Sequence, residues 1–278
     1  MFQDLDVRFD NSFQKTAPAE DSLALLFRGD TVLARTEEDR LTLPDFAALS
    51  PALRALSFRC AFSLGGRSYF LADADKAPED AAPFVWVPSK QYRSMGPKEA
   101  VFAAAVGESL HRWYGATRFC GRCGRPMEDS GSERARVCPA CGLTLYPKIC
   151  PAVIVAVTDG ERLLLTKYQG RAFKRYALVA GFAEIGEPIE ETVRREVFEE
   201  TGLRVKNLRF YKSQPWVFTD SLLMGFYCDL DGDDRITIQQ SELSEAGWFP
   251  RSELPTDHSG ISLTGEMIER FRAGMEKG

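Results

Sequence analysis

The residues with the clearest chemistry lie between Leu178 and Leu203, in the stretch LVAGFAEIGEPIEETVRREVFEETGL. Five residues separate Gly181 from Glu187, and seven more lead to Arg195, Glu196, Val197, Glu199, Glu200, Gly202 and Leu203. Pro188 suits a first helical position, where its missing N–H would have no partner, and Gly202 suits a C-terminal cap; together they predict a helix from about Pro188 to Thr201. At roughly 100° per residue, Ile189, Val193 and Val197 form an apolar stripe, with Glu196 and Glu200 in its sector, Glu199 at its edge, and Glu191, Arg194 and Arg195 opposite. Carboxylates gathered on an inward face repel one another unless a cation intervenes. Oxygen ligands of this kind, together with substrate phosphates, suit a hard divalent ion such as Mg²⁺.

A second set of ligand-type residues is Cys120, Cys123, Cys138 and Cys141, two Cys-x-x-Cys pairs fourteen residues apart, each followed by glycine. Four thiolates close a tetrahedron with no open position, so this spacing predicts one structural Zn²⁺ in a zinc ribbon. Cys60, Cys150 and Cys228 are expected to be small buried hydrophobes. Arg118, Arg122, Arg125, Arg134 and Arg136 could hold RNA phosphates, but a solvated surface is the simpler reading. His111 has no second ligand near it in sequence and reads as a satisfied residue; Asp231, Asp233 and Asp234 read as a solvated turn.

These sets need scaffolds. At 278 residues the chain has room for more than one core, and its net charge of −5 argues against nonspecific nucleic-acid binding. The sequence has neither a basic segment followed by an apolar run nor a stretch of about 18 apolar residues, so no signal peptide or membrane span is expected and the cytoplasm is the expected compartment. Strands are expected at Leu23–Phe27 and Thr31–Ala34 around a turn at Gly29, and at Ala61–Leu64 and Ser68–Ala72 around Gly65-Gly66. Ala77–Pro88 reads as connection. A helix is expected over Lys98–Tyr114, burying Val101, Ala104, Ala105, Leu110 and Trp113. Further strands are expected at Ala152–Val157, Arg162–Thr166, Tyr176–Val179, Val205–Lys212 and Leu222–Leu230, with a basic loop over Lys167–Arg175.

The spacing around Gly181, GX5EX7REUXEEXGU with U a bulky apolar residue, matches the Nudix box at every defining position. The chain therefore resembles the Nudix hydrolases, which cleave nucleoside diphosphates linked to another moiety. Downstream, Ser213-Gln214-Pro215-Trp216-Val217-Phe218-Thr219-Asp220-Ser221 is similar to the SQPWPFPxS array of NADH pyrophosphatases, Nudix members that also remove NAD caps from RNA. Val217 and Thr219 stand where that array has prolines. The resemblance spans Trp113 to about Ile268.

The resemblance implies an α/β fold, with a Nudix α/β/α sandwich at 147–278 following the zinc ribbon at 116–146; the strands and helix expected before them read as an N-terminal α+β domain at 1–115. It implies two or three Mg²⁺ or Mn²⁺ ions held by the Ala180 carbonyl, Glu196, Glu199, Glu200 and Glu242. Glu200 or Glu199 would accept the proton of the attacking water, and Arg195 would orient the glutamates. Tyr146 and Phe182 match the rings that sandwich adenine, the tyrosine coming from a second subunit, which implies a homodimer. Residues Gln214 to Ser221 and Thr264 match substrate contacts. The expected reaction is hydrolysis of the pyrophosphate of NAD(H) to NMN(H) and AMP, with removal of the NAD cap from RNA as a further activity. Two alternatives stand beside it: a Nudix hydrolase of ADP-ribose or diadenosine polyphosphates, and a zinc-ribbon RNA-binding regulator.

Overall fold

The computed structural model describes residues 1–75, 77, 81–170, 176–256 and 260–276. The chain forms two compact units: Asp4–Lys148 with Val217–Thr219, and Met1–Gln3 with Ile149–Trp216 and Asp220–Gly278.

The first unit contains β1 (Phe9–Asp10), β2 (Leu23–Arg28), β3 (Thr31–Glu37), β4 (Arg40–Thr42), α1 (Pro51–Arg54), β5 (Arg59–Leu64), β6 (Arg67–Asp73), β7 (Val85–Pro88), α2 (Ser89–Tyr92) and α3 (Lys98–Ala116). Its main sheet runs β1-β5-β6-β2-β3-β4, with β7 paired to β3. Both expected hairpin turns are present, at Gly29 and at Gly65-Gly66, each glycine at positive φ. β7 corrects the reading of Ala77–Pro88 as connection. Its signal is short and closed by a proline, and pairing with β3 rather than local propensity makes it a strand. α3 buries Val101, Ala104, Ala105, Leu110 and Trp113 as expected. His111 stacks on Phe27 at 5.3 Å, and burial lowers its pKa, keeping it neutral at physiological pH. A small ribbon, β8 (Glu128–Asp129), β9 (Arg136–Val137) and β10 (Thr144–Leu145), completes the unit.

The second unit contains β11 (Cys150–Asp159), β12 (Arg162–Tyr168), β13 (Val179–Phe182), α4 (Ile189–Thr201), β14 (Val205–Trp216), β15 (Ser221–Leu230), β16 (Leu243–Pro250) and α5 (Leu263–Arg272). The sheet order is β14-β15-β11-β12-β16, with β13 antiparallel to β11. β11 is apolar from Ala152 to Val157 because both its faces are covered there. Val153, Val155 and Val157 pack with Val193 and Val197 of α4, whereas Ile154 and Ala156 pack with Met267 and Phe271 of α5. This is the expected α/β/α sandwich.

Several boundaries differ from expectation. Pro188 is the N-cap of α4, not its first helical residue, and its extended ψ of 149° ends the preceding loop. The strand expected at Tyr176–Val179 lies later, at Val179–Phe182, where Ala152↔Phe182 pairing holds it to β11. Residues 171–175 of the expected basic loop lie outside the described residues. Cys228 is buried as expected, but Cys60 and Cys150 are only half-buried, each near the end of a strand.

One buried amide joins distant segments within this unit. Gln214 is fully buried; its Nε2 donates to Gln3 Oε1 at 3.0 Å and the Ile261 carbonyl at 2.8 Å, and its Oε1 accepts from the Leu263 N–H at 2.7 Å. Beside it the Phe2 N–H donates to the Ile261 carbonyl at 3.1 Å. The Ser262 hydroxyl accepts from the Gly265 N–H at 3.1 Å and so caps α5. Since Phe271 is wholly buried on the α5 side of the sheet, Phe271→Ala is expected to destabilise the protein by about 3–5 kcal/mol in urea unfolding.

Candidate active site

Gly181 and Glu196 are packed too closely for any other residue to stand in place of the glycine. A Cβ added at Gly181 would lie 1.9 Å from the Glu196 carboxyl carbon. The missing side chain thus lets the carboxylate lie over β13. The Ala180 carbonyl of that strand accepts a hydrogen bond from the Tyr168 hydroxyl at 3.3 Å, and its second lone pair leaves room for a further contact.

α4 supplies the acidic groups. Glu196 and Glu200 are buried, at 8% and 1% exposure, as their places beside Val193 and Val197 require. Glu199 departs from the expectation of three inward carboxylates: its side chain is 51% exposed, because the edge of the apolar sector is open to solvent. Arg195 departs further. Its backbone position is opposite the stripe, yet its long side chain folds back onto the acidic cluster. Nε and Nη2 donate to the two oxygens of Glu187 at 2.8 and 2.9 Å, while Nη1 donates to Glu196 at 2.8 Å and Glu199 at 3.0 Å. Nη2 also donates to the Phe182 carbonyl at 2.9 Å. Glu191 and Arg194 form the expected pair on the exposed face, at 2.7 Å.

These contacts decide the charges. The Arg195 hydrogen bond is the main cause holding the Glu187 carboxyl down to about 2, helped by the Glu184 N–H and the Thr192 hydroxyl. Glu196 moves the other way. Burial raises its pKa, and the charges of Glu199 and Glu242 add to the rise while Arg195 opposes it. Glu242 reaches this field although it is exposed and 46 residues away. The N–H groups of Thr237 and Gln239 donate to the Thr201 and Glu200 carbonyls at 2.8 and 3.0 Å, capping α4, and the Glu242 N–H donates to the Gln239 carbonyl at 3.0 Å.

The donor set fits a hard cation. Glu196, Glu199, Glu200, Glu242 and the Ala180 carbonyl offer oxygen only, and a divalent ion would offset the charges of Glu199 and Glu242, which add to the effect of burial at Glu196. Among the described residues, Cys120, Cys123, Cys138 and Cys141 bring their sulfurs within 4.8 Å of one another, whereas the glutamates form no such close group. Cys120–Cys141 and Cys123–Cys138 Sγ separations are 3.6 and 3.5 Å, near the roughly 3.8 Å edge of a tetrahedron with Zn–S of about 2.3 Å. Gly124 and Gly142, at φ of 72° and 73°, donate back to the Cys120 and Cys138 carbonyls, which explains the glycine after each pair.

Two of the ribbon arginines have structural tasks. Arg136 is buried and bonds Asp129 and the Met127 carbonyl, while Arg134 bonds Asn11 and the Ala61 carbonyl. Arg118, Arg122 and Arg125 are exposed.

The array is more strand than loop. Ser213, Gln214, Pro215 and Trp216 continue β14, Ser221 opens β15, and the turn is confined to Val217–Asp220, with Asp220 at φ 55°. Pro215 is exposed, Trp216 half-buried and Ser221 buried. Gln214 is occupied by the internal contacts described above. Thr264 is half-buried in the first turn of α5. The rings of Phe182 and Tyr146 are 54% and 59% exposed, each in a different unit, and the Tyr146 hydroxyl donates to Glu133 at 3.1 Å.

Residues 148–271 match the family described as the NUDIX domain, and residues 116–146 match that described as the NADH pyrophosphatase zinc ribbon domain. The chain is 40% identical over 204 residues to a Chromobacterium violaceum protein named NAD-capped RNA hydrolase NudC, covering 73% of this chain and 76% of that protein. It is 43% identical over 172 residues to an Actinobacillus succinogenes protein of the same name, covering 58% of this chain and 65%, just under two thirds, of that protein. A solved NUDIX hydrolase from Nitrosomonas europaea is 22% identical with a TM-score of 0.49, covering 58% of this chain and 93% of that one.

Two outcomes follow from these contacts. Gly181→Ala must displace Glu196 and is expected to lower metal-dependent pyrophosphate hydrolysis about 100-fold, measured by steady-state kinetics, while circular dichroism remains that of the parent. Cys138→Ser opens the tetrahedral site, and elemental analysis of the purified variant is expected to show loss of its zinc.

Proposed function

Because this chain belongs to the Nudix hydrolase family, we propose that it hydrolyses the pyrophosphate of NAD(H) to NMN(H) and AMP, and removes the NAD cap from RNA by the same cleavage. The observation that carries the reading is the Glu196 carboxylate packed over Gly181 and tied through Arg195 to Glu187 and Glu199. The substrate reading is supported by the SQPWVFTDS segment and by the ribbon, and agrees with the names of the relatives.

Glu196, Glu199, Glu200, Glu242 and the Ala180 carbonyl would hold two or three Mg²⁺ or Mn²⁺ ions. Bound there, such ions neutralise the pyrophosphate and lower the pKa of an attacking water. The chain's own residues do the rest. Arg195 fixes Glu196 and Glu199 and ties the Phe182 carbonyl to α4, so the exposed Phe182 ring is carried on a braced segment where an adenine face can stack. Glu200 or Glu199 accepts the proton of the water. Glu200 is buried, whereas Glu199 reaches solvent, so the two would pass the proton to different surroundings.

The exposed rings of Tyr146 and Phe182 suit a homodimer in which Tyr146 is contributed by a second copy of the chain. Its cysteines are unbridged and four of them are arranged for zinc, which suits a reducing compartment, the cytoplasm. No helix among the described residues is long and apolar enough to cross a membrane.

The test is a product assay on NADH, NAD⁺, NAD-capped RNA, ADP-ribose and a diadenosine polyphosphate, with Mg²⁺ and Mn²⁺ compared. NMN(H) and AMP are the expected products from NAD(H), and NMN with 5′-monophosphate RNA from the capped RNA. Glu200→Gln should reduce their release about 10²–10⁴-fold. A protein that cleaves ADP-ribose but releases no NMN or NMNH would remove the NAD(H) assignment.

A further inference from the structure

Val217 and Thr219 occupy positions where the similar array has prolines, residues that would fix φ near −65° and stiffen the turn. Valine and threonine impose no such limit, yet the turn is held. Val217–Thr219 belong to the same compact unit as residues 4–148, and the contacts come from two of that unit's helices. Arg112 of α3 donates through Nη2 to the Val217 carbonyl at 2.7 Å and through Nη1 to Glu108 Oε1 at 3.0 Å. Glu108 is buried at 5% exposure, and its other oxygen accepts from the Ser89 hydroxyl at 2.7 Å and from the Tyr92 hydroxyl. Just past α2, the Arg93 guanidinium lies 3.9 Å from the centroid of the Phe218 ring.

A carboxylate withdrawn this far from water is costly unless donors surround it. Here Ser89 and Tyr92 fix one oxygen and leave the other aimed at Arg112. The planar guanidinium then has one edge committed to Glu108 and the other directed at a backbone carbonyl, a geometry that lysine cannot reproduce. Arg93 adds a second constraint one residue further on, by stacking.

We propose that Glu108, Arg112 and Arg93 are positioning residues that fix the Val217–Thr219 turn in place of the two prolines, and thereby set the preference for a nicotinamide-bearing dinucleotide over ADP-ribose. The preference rests on the NAD(H) reading above; the clamp itself does not.

Both parts can be tested on the full-length, zinc- and metal-loaded protein. Arg112→Met removes both donors; Arg112→Lys keeps a cation against Glu108 and serves if the methionine variant folds poorly. Hydrogen–deuterium exchange is expected to speed up in the peptide spanning Val217–Asp220 in either variant, with α4 and β11 unchanged. The ratio of kcat/KM for NADH to that for ADP-ribose is expected to fall about tenfold, mainly through KM for NADH, the loss of one charge-assisted hydrogen bond. Adding V217P and T219P to Arg112→Met should restore both readings, which a merely structural role for Arg112 would not allow. Unchanged exchange in the turn overturns the clamp, and faster exchange with an unaltered substrate ratio overturns its role in selectivity. If the parent protein cleaves neither substrate, the NAD(H) reading fails and the selectivity role with it, while exchange still decides the clamp.

Discussion

Like charges crowded at one end of a helix set the terms for the catalytic unit. Glu196, Glu199 and Glu200 lie in the last two turns of α4, near the negative pole of its dipole, where carboxylates are disfavoured. Arg195 answers part of this by bonding Glu187, Glu196 and Glu199 at once, and Thr237 and Gln239 answer another part by giving their N–H groups to the last carbonyls. The same bonds do geometrical work, since Glu187 belongs to the loop before the helix and Gln239 to the segment that carries Glu242. Relieving the charge and assembling the site are therefore one event. At Glu196 burial, with the charges of Glu199 and Glu242 added, outweighs Arg195 and shifts the carboxyl upward.

Much of this was legible because it is local. The loop glycine, the helix with its Gly202 cap, the paired cysteines and the apolar β11 each announce themselves within a few residues, through spacing or capping. What escaped was decided elsewhere in the chain. β16 reads LSEAGWFP, with neither clean alternation nor β-branched residues, and is a strand because β12 pairs with it from Arg162↔Pro250 onward. α5 did carry a signal, Leu263, Met267 and Phe271 at four-residue spacing behind a Ser262 cap, and Gly265 in its first turn weakens it.

Side-chain direction was the other blind spot. A helical wheel places Cα atoms, and for Glu196 or Val197 that is enough. For arginine it is not: the stem of Arg195 is long enough to carry its charge around to the face from which its backbone points away. Gln214 shows the opposite case. In sequence it belongs to a substrate-type motif; in the fold both ends of its amide are taken by Gln3, Ile261 and Leu263.

That amide also orders events in time. Residues 1–3 find their partners around Ile261, so during synthesis they must wait while some 260 residues are added, roughly 13–50 seconds at ordinary ribosomal rates. Residues 4–148 have no such delay and contain most of their own partners. Residues 1–3 are thus among the last parts to settle, and the sheet that carries the acidic helix is sealed by residues made well before it.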